Sequence, residues 1–97
     1  MSVYVVAQGR IENRDTLNQY VEKAIPTIMA HGGRIVAFDE TPEVVEGAVD
    51  FPRTVIIEFP NRTAFRDWYD SDEYQAILPI RFKAMPGTLI VVKGLAS

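Results

Sequence analysis

The stretch from Arg53 to Tyr74 leaves the chain little conformational choice, because an apolar run, a stop, a helix entry and an aromatic cluster follow one another without slack. Val55, Ile56, Ile57 and Phe59 are the β-branched and aromatic residues that suit a pleated strand, and Pro60 cannot continue ladder pairing. Asn61 is a good helix cap, after which Ala64, Phe65, Trp68 and Tyr69 fall on one helical face. The strand is apolar on both alternating sets, with Val55, Ile57 and Phe59 on one side and Thr54, Ile56 and Glu58 on the other. Both faces of the sheet it joins therefore want cover.

The flanking segments supply the other elements. Val3 to Gln8 is a short apolar run bounded by Gly9 and reads as a first strand. Asn13 or Asp15 then caps a helix whose stripe is Leu17, Tyr20, Val21, Ala24, Ile25 and Ile28. Pro26 lies inside that pattern and predicts a kink or a new turn, and His31-Gly32-Gly33 ends the helix. Arg34 to Phe38 reads as a second strand, broken at Asp39-Glu40-Thr41-Pro42 and resumed over Glu43 to Gly47. Arg53 to Phe59 is the third. The helix after Pro60 ends near Asp70 and restarts at Asp70-Ser71-Asp72-Glu73, where acidic residues suit a helix N-terminus. Tyr74, Ile77, Leu78, Arg81 and Phe82 continue the inward stripe, Pro79 predicts a second irregularity, and Thr88 to Lys93 is the last strand.

The order β-α-β-β-α-β, with no linker or internal repeat, is the ferredoxin-like plan in the α+β class: a four-stranded antiparallel sheet with two helices on one face. At 97 residues one domain, spanning 1–97, is expected. Two helices shield one face only, and leaving about five aliphatic side chains wet on the other forgoes ~1.5–3 kcal/mol each. A second copy packed sheet to sheet, giving a dimeric α/β barrel, is the expected cover.

Composition excludes several classes. The formal net charge is −3, and the ten Lys and Arg are scattered, so nucleic acid is not an expected partner. No cysteine is present, which removes disulfides, thiolate nucleophiles and cysteine metal sites. The opening segment lacks the pattern of a signal peptide, and no apolar run approaches the ~20 residues of a membrane span. A cytoplasmic protein without a membrane partner is expected.

Several of these motifs together carry a resemblance. Gly32-Gly33-Arg34, Val45-Glu46-Gly47, Arg53 to Pro60, and Trp68-Tyr69-Asp70-Ser71-Asp72-Glu73-Tyr74 resemble the small proteins catalogued as domain of unknown function 1330, over nearly the whole chain. The resemblance implies a ferredoxin-like fold and membership among dimeric α/β barrels. That wider group includes cofactor-independent monooxygenases, muconolactone-isomerase-like enzymes and haem-degrading enzymes, and fold alone transfers none of those activities.

The candidate site residues each have a bland reading beside the functional one. Glu58 interrupts an apolar strand on a face expected to be covered. Unpaired and buried it would be a proton-transfer group; paired with Arg53, Arg34 or Arg81 it would be inert. His31 sits at a helix end, where it caps carbonyls, and it is the alternative catalytic candidate. As the sole histidine it builds no zinc site, and beyond Met29 nothing near it suggests a haem pocket, so neither metal nor cofactor is expected. Trp68, Tyr69 and Tyr74 are core aromatics or, with Tyr4 and Phe38, the apolar wall of a ligand cleft in which Arg34, Arg53 or Arg81 anchors a carboxylate. Ser71 reads as a cap and Gly32-Gly33 as a helix stop. Two functions fit: a small homodimeric module that binds a small molecule or a partner, which is preferred, and a cofactor-independent enzyme acting on a small aromatic or lactone-like substrate through Glu58 or His31.

Overall fold

The computed structural model describes residues 1–95. Seven elements follow in order: β1 (Val3–Gly9), α1 (Arg14–Ala30), β2 (Arg34–Asp39), β3 (Arg53–Phe59), α2 (Arg62–Tyr69), α3 (Asp72–Ala84) and β4 (Gly87–Lys93). The sheet order is β2-β3-β1-β4, with every neighbouring pair antiparallel. Two β-α-β units thus interlock, each leaving room for a strand of the other. This is the ferredoxin-like α+β fold, and its Cα extents of 34 × 32 × 15 Å are those of one helical layer on one sheet.

Local chemistry explains the boundaries. Asn13, Asn61 and Ser71 cap α1, α2 and α3 by accepting the backbone N–H of Thr16, Ala64 and Tyr74. At the end of α1, Gly32 takes φ +79°, and the Gly32 and Gly33 N–H groups bond the carbonyls of Met29 and Ile28. Those paired bonds close the helix with a left-handed residue that only glycine adopts without cost. The helical layer holds three helices, because Ser71 stops α2 and restarts the chain as α3.

One expectation needs correction, and the two prolines leave their helices unbroken: α1 runs through Pro26 and α3 through Pro79. Both prolines and Glu22 are exposed, so water can satisfy the Glu22 carbonyl that loses its partner to Pro26. Glu43 to Gly47 does not resume β2 but lies in an exposed loop with Gly47 at φ +80°. Its alternating pattern finds no neighbouring strand to pair with. Between Ile35 and Ala37 the β2–β3 register shifts at a bulge, which keeps Ile35 and Phe38 on the helical side opposite Ile57 and Val55.

The core lies between sheet and helices. Val3, Val5, Ile57 and Phe59 from the strands meet Ala24 and Ile28 of α1, Phe65 and Trp68 of α2, and Tyr74 and Leu78 of α3. The opposite sheet face has no helix over it. Across it runs an apolar row, Ala37–Ile56–Val6–Ile90, one residue from each strand in register. On one side of that row lies Arg34–Glu58–Tyr4–Val92, and on the other Asp39–Thr54–Gln8–Thr88. Ile90 is 55% exposed and Val92 44%.

Candidate functional site

A cavity of about 140 Å³ opens between the sheet and the helices. Its floor is Ala7, Val55, Ile57 and Leu89, the inward-facing set of three strands, and its roof is Tyr20, Ala24, Ile25 and Ile28 of α1. Trp68 closes one side, and Ile35 and Phe38 of β2 another. Almost everything it presents is hydrocarbon. The residues with polar ends along its wall are Arg53, Arg81 and Tyr20.

Arg53 enters this space because strand alternation puts it on the same face as Val55, Ile57 and Phe59, and it is only 8% exposed. Its Nε donates to Glu40 Oε2 at 3.4 Å, and its guanidinium carbon lies 5.0 Å from the centre of the Phe38 ring. Burial pulls its pKa down from the ordinary arginine value while Glu40 opposes the shift; the group stays charged. Glu40 is committed elsewhere. Arg14 grips it with two bonds of 2.8 and 3.1 Å, and that grip holds its carboxyl below the usual range.

The far wall carries a chain of hydroxyls. Arg81 Nη1 donates to the Tyr74 hydroxyl at 3.2 Å, and Tyr74 and Tyr20 share a 2.7 Å hydrogen bond. Burial pushes both phenols above their ordinary pKa. They are neutral hydrogen-bonding groups at neutral pH and not bases.

Among the sequence candidates, Arg53, Arg81 and Trp68 line the cavity and Tyr74 supports it from behind. Trp68 donates its indole N–H to Thr27 Oγ1 at 3.0 Å and is 1% exposed, so it is core and cavity wall at once. Tyr69 faces a separate surface cleft with Arg62, Arg66 and Phe82. His31 ends α1, its Nδ1–H donating to the Thr27 carbonyl at 2.9 Å. Arg34 and Glu58 lie on the helix-free face, as does Tyr4, while Phe38 joins the wall. Glu40 and Tyr20 escaped sequence reasoning. Tyr20 did carry a signal, being a polar tip on an inward stripe that needs a partner. Among the described residues, no three His, Asp or Glu side chains converge as metal ligands would.

Glu58 is fully engaged. Arg34 Nη2 donates to it at 2.6 Å and the Tyr4 hydroxyl at 3.2 Å, and its side chain is 21% exposed. Arg34, with further hydrogen bonds from Ser2 and Tyr4, holds the carboxyl below the usual range. A carboxylate with a lowered folded pKa stabilises the protein above its unfolded value of about 4.3, and that stability fades as pH falls through the folded value. Thermal melts between about pH 7 and pH 3 should therefore drop steeply at the acid end for the wild type and less steeply for Glu58→Gln. Part of the drop remains because Glu40 behaves in the same way. Identical slopes would mean that the Arg34 pair contributes nothing.

Comparisons with known proteins agree with this fold. A family model described as a domain of unknown function, DUF1330, matches residues 2–95. No curated protein matches the sequence. Among solved structures, a protein of unknown function from Rhodopseudomonas palustris superposes with TM-score 0.78 at 19% identity, over 99% of this chain and 84% of that one. SnoaB, a cofactor-independent oxygenase from Streptomyces nogalater, gives 0.72 at 10% identity, over 99% of this chain and 95% of its own. A dimeric ferredoxin-like protein of unknown function from Jannaschia sp. gives 0.69 at 8% identity, over 97% and 100%. Identities this low establish the shared fold alone.

Proposed function

The chain belongs to the family described as domain of unknown function DUF1330, and from that premise we propose that it works as a homodimeric small-molecule-binding protein. Its ligand occupies the cavity between sheet and helices, and the dimer forms through the helix-free sheet face. One observation carries the reading: an apolar cavity of about 140 Å³ is built around a nearly buried arginine, Arg53. Ligand sites are typically such apolar hollows with a few placed polar groups. The dimer is supported by the apolar row on the open face and by similar structures described as dimeric.

A second reading, a cofactor-independent enzyme for a small aromatic or lactone-like substrate, draws support from the fold shared with SnoaB. Against it stands the position of Glu58 and His31, both outside the cavity, while the phenols within reach of it are poor bases. Binding without chemistry is the better account.

A thermal-shift screen against small aromatic acids, lactones and haem tests the proposal, since a ligand bound only by the folded state raises the melting temperature. At a concentration of about 100 times Kd the gain is about 2.7 kcal/mol, which for a domain of this size is on the order of ten degrees or more. A panel without a single shift would overturn the binding reading.

A further inference from the structure

Resting on that reading, we propose that the ligand is a single-ring carboxylate, its ring enclosed by the apolar walls and its carboxylate held by Arg53. Size sets the first limit. Apolar cavities of about 150 Å³ accommodate one benzene molecule, and the volume here, about 140 Å³, is the same to within a methyl group. A fused second ring exceeds that volume and has to project back into the mouth.

Charge sets the second. Arg53 and Arg81 are the ionised groups on the cavity wall. The carboxylate nearest to Arg53, Glu40, is gripped by Arg14 and reaches Arg53 only through Nε at 3.4 Å. Among the described residues, neither Nη of Arg53 has a hydrogen-bond partner and Arg81 has no carboxylate partner. A nearly buried guanidinium with two idle donors in a fork is a preformed receptor for a planar carboxylate. An apolar ligand would leave those donors unpaired, and a cation would meet two positive charges.

Access sets the third. Phe38, Val21 and Arg53 line both the cavity and an outer cleft that continues through Arg14, Leu17 and Glu40. The ligand enters there between α1 and β2. Its carboxylate comes to rest at Arg53 beside the mouth, with the ring directed inward to Ile57 and Trp68. Arg53 then exchanges its long contact with Glu40 for the ligand, and Glu40 remains on Arg14. Glu40→Gln should accordingly strengthen carboxylate binding, because it removes the competing negative charge.

The test is calorimetric titration of the full-length protein with benzoate, its neutral isostere benzamide, and 2-naphthoate. Benzoate is expected to bind about tenfold or more tighter than benzamide, the worth of a charge-assisted hydrogen-bond pair, and 2-naphthoate more weakly than benzoate. Arg53→Gln should erase the preference for benzoate over benzamide. Should that variant fail to fold, Glu40→Gln reads the same interaction with the opposite sign. Equal or better binding of benzamide, or tighter binding of 2-naphthoate, overturns the ligand class and leaves the cavity reading standing. No binding by any of the three, together with an empty thermal-shift screen, overturns both.

Discussion

Trp68→Ala is expected to remove about a fifth or more of the folded protein's stability. The indole is 1% exposed and lies with its ring centroid 4.1 Å from that of Tyr74, 5.4 Å from Phe59 and 6.1 Å from Phe65. It is thus the common neighbour of β3, α2 and α3. Truncating a buried tryptophan typically costs about 3–5 kcal/mol, against a total of about 5–15 kcal/mol for a domain of this length. The melting temperature should fall by about 12 °C at the least. The cost is mostly hydrophobic and cavity energy, because Thr27 keeps its own bond to the Ala24 carbonyl when the indole N–H is lost. Phe82→Ala is the control, since that ring is 61% exposed and should change stability by less than about 1 kcal/mol. Chemical denaturation at fixed protein concentration compares the two. A Trp68→Ala protein as stable as the control would mean that α2 is not held to the sheet by this side chain.

Ile90→Asp is expected to dissociate the proposed dimer while leaving each subunit folded. Ile90 stands at one end of the apolar row across the open sheet face and is 55% exposed within a single chain. An aspartate there costs the isolated subunit little. Buried against a second sheet without a partner, the same carboxylate costs several kcal/mol, a loss of about a thousandfold or more in association. Light scattering at micromolar concentration should give twice 10.9 kDa for the wild type, and 10.9 kDa for the variant with an unchanged circular dichroism spectrum. The polar rows on either side of the apolar one would form the rim, where charges set register more than affinity. A wild type of single-chain mass would overturn the dimer, and an Ile90→Asp protein that stays dimeric would place the interface elsewhere.

Much of the fold is written in local signals that act over three or four residues. Asn13, Asn61 and Ser71 cap helices because a side-chain oxygen can reach an N–H three residues ahead whatever the rest of the chain does. Glycine at the end of α1 is equally local. Pro26 and Pro79 end neither helix, and that depended on surroundings: a proline on the wet face of a packed helix loses one hydrogen bond that water replaces. The Glu43–Gly47 inference failed because alternation describes one strand, whereas a strand exists only if another offers its edge.

The site divides in the same way. From the sequence alone, parity along β3 put Val55, Ile57 and Phe59 on one face and Glu58 with Ile56 and Thr54 on the other, and it left Arg53 among the candidate partners of Glu58. What parity could not say was which face the helices would take, because both were apolar. Only the tertiary structure decided that Arg53 points into the helical layer and Glu58 away from it. It also brought Tyr20, Arg53 and Arg81, far apart along the chain, around one cavity. Side chains that meet across sheet and helices are chosen by packing in three dimensions, and no spacing along the chain records that choice.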